Sequence, residues 1–331
     1  MSVPSRPLSL LLLLALLSGL TLLLAAGLGS VELGPAAILQ ALLDRGPDWP
    51  RTLVWELRLP RALLAFQVGG LLALAGVLMQ VLLRNPLADP YVLGTSGGAA
   101  VGALGALLLG LSGLAVQTLA FAGALLSTLV VFQLGGGLQR WHSHRLLLTG
   151  IVVAAGWGAI ITFLLTIAPA ERVHGLLFWL MGDLTTAAPI RLGGLWLLLL
   201  LVVALGLGRT LNLLLLGQST AATLGAAIGR TLVLLYVLAA LATALAVSQA
   251  GSIGFVGLVI PHLIRLLGIR DHRFLIPAAA LAGGSLLVLA DTLGRTLLAP
   301  QQLPVGVVTA FLGVPLFLYL LTRQARATEP A

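Results

Sequence analysis

Ten runs of roughly twenty apolar residues, almost free of charge, leave this chain very few ways to fold. They cover approximately residues 8–28, 60–83, 92–111, 114–137, 146–168, 190–208, 231–249, 252–268, 274–297 and 305–322. A bilayer offers the backbone no hydrogen-bond partners, so a crossing segment is either a helix or part of a closed barrel. Barrel strands alternate polar and apolar residues over short stretches, whereas these runs are continuous. A soluble domain is excluded by the ratio of 59% apolar to 8% charged residues, which leaves too little charge to cover a dissolved surface. The expected fold class is an all-α polytopic membrane protein with about ten transmembrane helices per subunit, one domain over residues 1–331. The apolar stretch Ser9 to Leu28 exceeds the core of a signal peptide and reads as a retained first span. The eighth run is short, which predicts a tilted helix or one buried by its neighbours.

The few charges set the topology. With ten spans, both termini lie on one side. That side carries Arg6, Arg84, Arg140, Arg145, Arg209, Arg230, Arg265, Arg270, Arg273, Arg323 and Arg326 against Asp89, Asp271 and Glu329, a balance of +8. Seven arginines and seven carboxylates cancel on the other side. The positive-inside rule makes the arginine-rich face cytoplasmic and both termini cytoplasmic. It also accounts for the net charge without any nucleic-acid partner. The chain has no cysteine and no lysine. A phosphate-binding Walker loop requires a lysine, so energy from ATP would have to enter through a separate chain.

One cytoplasmic stretch, 209–230, is too polar and too broken by glycine to span. Asn212, Gln218, Ser219, Thr220 and Thr223 interrupt it. Gly217 followed by Gln218-Ser219 reads as a break and an N-cap, opening a helix of about two turns that Gly225 closes.

Other clusters admit two readings each. Arg58-Leu59-Pro60-Arg61 opens the second run from outside, with Pro60 suited to a first helical turn. Arg295 stands at the same level, with Asp291 placed to pair with it at i,i+4. These arginines either snorkel to the headgroups or form a cationic patch for an acidic partner. Arg84-Asn85-Pro86-Leu87-Ala88-Asp89-Pro90 makes a rigid elbow, either a plain turn or shaped geometry at a pore mouth. Gly94-Thr95-Ser96-Gly97-Gly98 matches the serine-hydrolase elbow, and His262 is the available base. That motif needs a strand before it, so close-packed glycines are the better reading, as in the stripe Gly94, Gly98, Gly102, Ala106 and Gly110. His142 and His144 lack the further ligands of a metal site. Apart from Asp291 and His262 the spans hold no carboxylate and no histidine, unlike ion-coupled secondary carriers.

The segments LRLPRALLAFQVGGLLALAGVLMQ (57–80), RNPLADPYVLGTSGGAAVGA (84–103), LNLLLLGQSTAATLG (211–225), GSIGFVGLVIPHLIRLLGIRDHR (251–273) and LPVGVVTAFLGVPLF (303–317) resemble, in order and spacing, permease subunits of type II ABC importers. This is the FecCD family, with a BtuC-like fold, which carries iron–siderophore complexes, haem and vitamin B12.

The resemblance implies a non-enzymatic homodimer in the inner (cytoplasmic) membrane, with a path at the subunit interface. Two ABC ATPase subunits, which bind the ATP and Mg, would sit on the cytoplasmic side and a periplasmic substrate-binding protein on the other. This chain itself would hold no cofactor and no metal. By resemblance, 209–230 is the ATPase-coupling segment, two short helices divided at Gly225, with contacts from Gln218, Ser219, Ala221, Ala222, Leu224 and Gly225. Arg58, Arg61 and Arg295 would dock the binding protein. Asn85, Leu87, Ser143 and His144 would form the cytoplasmic gate. The competing expectations are an intramembrane serine protease using Ser96 and His262, and an ion-coupled secondary carrier.

Overall fold

The computed structural model describes residues 5–31, 33–43, 45–137, 143–185 and 190–328. Among them there is no strand. In chain order the helices are α1 (Ser5–Gly27), α2 (Pro35–Leu42), α3 (Asp48–Thr52), α4 (Leu59–Leu82), α5 (Thr95–Leu108), α6 (Leu114–Leu134), α7 (Ser143–Ile167) and α8 (Ala170–Leu180). They continue as α9 (Ile190–Gly206), α10 (Gly208–Leu215), α11 (Gln218–Thr223), α12 (Ile228–Ala250), α13 (Val256–Leu266), α14 (His272–Thr296) and α15 (Val305–Thr328).

Among the described residues six helices are long and apolar enough to cross a membrane, and α9 with α10 makes a seventh such segment, bent by 54°. Three shorter apolar helices, α5, α13 and the first part of α15, complete the ten regions read from hydropathy. The short eighth run is α13, eleven residues long, and its Val256–Pro261 stretch is buried as its length suggested.

The bundle is built around α4. Eighty-nine per cent of its most apolar stretch is buried, against 6% for α7 and 17% for α1, which lie at the periphery. Around α4 pack α14, α12, α13 and α9, while α5 and α6 form a second pair. In lipid, close packing substitutes for the hydrophobic effect, and small residues permit it. At the α4–α14 crossing, a Cβ on Gly69 would lie 2.2 Å from the Gly283 carbonyl oxygen, so the two backbones touch. Gly98 of α5 and Gly123 of α6 meet in the same way, each against the other's carbonyl. The stripe beginning at Gly94 is therefore a packing seam over Gly98 and Gly102, while Gly110 faces open space.

Two expectations change. Helix continues from Asp48 to Leu82, so Pro60 lies inside a continuous helix rather than in its first turn. A π-helical turn over Leu53–Arg58 precedes it. The wider turn accommodates a ring that removes one N–H and crowds the carbonyl four residues back. The coupling segment divides at Leu216-Gly217, between α10 and α11, and not at Gly225. The break at Gly217 and the stop at Gly225 read from the residues both hold, since Gly225, at φ +86°, terminates α11; what changes is the division implied by the resemblance.

Candidate functional site: two polar ends of one bundle

At the end where α4 begins, Arg58, Arg61 and Arg295 surround a cavity of about 340 Å³ with Glu56, Thr185 and Gln302. Arg58 turns inward and is 3% exposed. Its guanidinium donates to the carbonyls of Gly27 (2.6 Å), Ala26 (3.3 Å) and Val31. Two of these are the last carbonyls of α1, which have no partner within that helix, so the cation caps the negative end of α1. Gly29 leaves room for it: a Cβ there would lie 2.8 Å from Arg58 Nη2.

Arg61 and Arg295 share one buried carboxylate. Asp291, 2% exposed, accepts from Arg61 Nε at 2.9 Å and lies 2.8 Å from Arg61 Nη2. Its other oxygen is 2.9 Å from Arg295 Nε, the i,i+4 pair expected from spacing. Arg61 Nη1 also donates to Gln302 Oε1 at 3.0 Å. The three arginines are thus gathered at one end, but Arg58 and Arg295 are buried and engaged. As a docking patch they need correction, since only Arg61, 17% exposed, retains a partly open guanidinium.

The opposite end holds the elbow and the broken segment. Asn85 Oδ1 accepts from the Leu87 N–H at 2.9 Å and Asp89 Oδ1 from the Tyr91 N–H at 2.7 Å. These Asx turns, with Arg84 at φ 49°, fix the elbow, which closes on a 3-10 turn over Pro90–Leu93 capped by Asp89 and by Gly94 at φ 68°. Burial raises the Asp89 carboxyl to about 6, against the pull of the Tyr91 N–H. Tyr91 Oη then donates to the Ile253 carbonyl and accepts from the Ile253 N–H, both at 3.0 Å, locking the elbow to the loop before α13. Sequence reading missed Tyr91; its only signal was a lone aromatic directly after Pro90. The elbow also abuts α7, where Gly150 leaves no room for a Cβ over the Val92 carbonyl. Ser143 opens α7 and His144 is exposed there, so the proposed gate residues lie on neighbouring elements. His142, the other half of the histidine pair, lies outside the described residues.

A cavity of about 420 Å³ separates the elbow from the broken segment, lined by Arg84, Arg265 and Arg270 with Leu214 and Gly217. At its wall Gln80 donates to the Leu258 carbonyl at 3.2 Å and accepts from Arg265 Nη1. In the broken segment Leu215, Leu216 and Leu224 are exposed by 60%, 63% and 58%. Ser219, Ala222 and Gly225 are exposed beside them and Gln218 is half-buried. Ala221 is fully buried: it props α11 against the bundle and presents nothing outward, a correction to its expected role as a contact. The expected N-cap is also absent, because Gly217 holds that position without a side-chain bond.

Among the described residues no hydrogen bond joins Ser96 to His262, no strand precedes Ser96, and no group of three metal-ligating side chains occurs. The fold and its two polar ends define a multi-pass membrane transport protein. A family model described as the FecCD transport family matches residues 12–323. The chain is 41% identical to the cobalamin import system permease protein BtuC of Halobacterium salinarum, over 85% of this chain and 76% of that one. It is also 41% identical to the vitamin B12 import system permease protein BtuC of Salmonella paratyphi A, over 82% and 84%. Among solved structures it is similar to a metal-chelate type ABC transporter in an inward-facing conformation, with a TM-score of 0.83, 30% identity and coverage of 96% and 99%. A TM-score of 0.55 at 17% identity relates the fold to PsaBC from Streptococcus pneumoniae, over 79% and 90%. The chain belongs to the FecCD transport family. It is a permease subunit of an ABC importer, and ATP hydrolysis belongs to a separate subunit.

Proposed function

We propose that this permease imports an intact metal chelate (cobalamin, haem or an iron–siderophore) as a homodimer in the cytoplasmic membrane. The arginine-rich end faces the cytoplasm and two ATPase subunits, which supply the ATP and Mg sites. The opposite end receives a periplasmic binding protein. The observation that carries the reading is the segment 209–230. It is a short polar stretch, broken at Gly217 and set off from α9 by a 54° bend, exposing Leu215, Leu216 and Leu224, a form suited to seating in a groove of another protein. The names of the relatives favour cobalamin among the chelates. Closure of the ATPases on ATP would draw the two segments together, and stiff helices would carry that shift to the subunit interface.

Uptake of radiolabelled cyanocobalamin, haem and ferric siderophore in a strain lacking the permease tests the cargo; accumulation of none of them overturns the chelate reading. Leu224→Asp should stop uptake in the reconstituted importer while the permease remains folded. Unchanged uptake by that variant would remove the segment from its assigned role.

A further inference from the structure

Besides the buried Leu211, Leu214 and Ala221, a polar side chain fastens the broken segment to the bundle. Asn212, in α10, donates from Nδ2 to Asp271 Oδ1 at 2.8 Å. Its Oδ1 accepts from the His272 backbone N–H at 2.9 Å and lies 2.8 Å from His272 Nδ1. An ionised carboxylate only accepts and a backbone N–H only donates, so these partners dictate which way the amide points. They also place the ring proton of His272, a residue with no exposed surface, on Nδ1. Asp271 is the N-cap of α14, accepting from the Arg273 N–H at 2.9 Å, and Arg273 Nε donates to both its oxygens at 3.1 and 3.0 Å. The fit extends to Gly208, where a Cβ would lie 2.9 Å from Arg273 Cγ.

This joint needs a donor and an acceptor on one short side chain. Leucine has the shape and neither function, whereas aspartate keeps the acceptor but turns a second carboxylate on Asp271. Through the joint α10 holds the first turn of α14. That helix rises about 37 Å over its length and near its far end carries Asp291, which pairs with both Arg295 and Arg61 of α4.

We propose that Asn212 is the positioning residue through which displacement of the coupling segment reaches α14, and along it the opposite end of the molecule. The inference rests on the coupling role proposed for 209–230.

The test uses the complete importer in proteoliposomes, with its ATPase and binding protein. The readout is ATP hydrolysed per molecule of whichever chelate scores in uptake: cyanocobalamin, haem or ferric siderophore. Asn212→Leu and Asn212→Asp should each raise that ratio about tenfold with the ATPase still bound. A merely structural role would lower hydrolysis and uptake together and leave the ratio alone. Asn212→Gln, which keeps both a donor and an acceptor on a longer side chain, should fall between the parent and Asn212→Leu. An unchanged ratio in Asn212→Leu overturns the proposal, and so does a ratio in Asn212→Gln no lower than in Asn212→Leu. Were the segment not the ATPase contact, Leu224→Asp would also leave the ratio unchanged. Failure of the joint alone leaves Leu224→Asp uncoupled and Asn212→Leu normal.

Discussion

Arg58, Arg61 and Arg295 lie within one cavity wall yet do three different things. Arg58 caps carbonyls at the end of α1, Arg295 is buried against Asp291, and Arg61 bridges that aspartate and Gln302. Asp291 therefore holds two guanidiniums with one carboxylate. Asp291→Ala leaves Arg295 buried and unpaired, and breaking a buried pair from one side costs about 3–5 kcal/mol. A lowered Tm in detergent should report it, with Asp291→Asn falling in between. Asp271 behaves differently. The Arg273 guanidinium holds its carboxyl below the ordinary range, opposed by some burial and helped by the Asn212 amide. Since the folded value is depressed, the stabilisation is complete above the unfolded value of about 3.9 and is lost as pH falls through the folded one. Acid unfolding of the parent should thus show a loss of stability below about pH 4 that is absent in Asp271→Asn, whose lost charge leaves a pH-independent deficit. The Asp291–Arg295 pair was legible at four-residue spacing. The inward turn of Arg58 was not, because nothing in its neighbours says that the end of α1, some thirty residues earlier, will present its carbonyls there.

At the level of elements, each apolar run holds a helix among the described residues, though only six, or seven with the bent α9–α10 pair, are long and apolar enough to cross a membrane, and the short eighth is buried over Val256–Pro261. What hydropathy missed follows from its period and window. The short helices α2, α3 and α8 lie between spans and are too short to register as apolar runs. The start of the α4 helix was set at Pro60 by the usual rule for proline, and the π-helical turn before it defeats that rule. The break at Gly217, whose φ of +104° suits only glycine, and the stop at Gly225 were both legible, whereas the division carried over from the resemblance, at Gly225, is not where the two short helices part. The α4–α14 contact offers a direct test of packing as the source of stability. Gly69→Val would force atoms into the Gly283 backbone, and overpacking costs about 1–3 kcal/mol, more where backbone must shift. Gly19→Val, which meets no atom within 4 Å, should leave Tm near the parent value in the same detergent assay.

Over the whole molecule, two polar ends are separated by the length of α4 and α14, the closely packed pair at the centre. Docking of a binding protein at one end predicts that Arg61→Glu weakens its capture by about tenfold at low salt and by less at high salt, because exposed charge is screened. Titrating immobilised permease with binding protein at two ionic strengths measures this, and equal affinity for parent and variant would remove Arg61 from the contact. The class of protein was legible from the missing lysine, spans whose one carboxylate is Asp291, and the motif order. The tertiary joints made by Asn212 and Tyr91 were not, since each partners residues at least fifty-nine positions away. The glycine contact between α4 and α14 has a last consequence, for descent. A seam of touching backbones admits no larger side chain, whatever is being carried. Lineages that switch cargo would leave Gly69 and Gly283 as they are, and the changes would gather on surfaces such as α7 that the seam does not constrain.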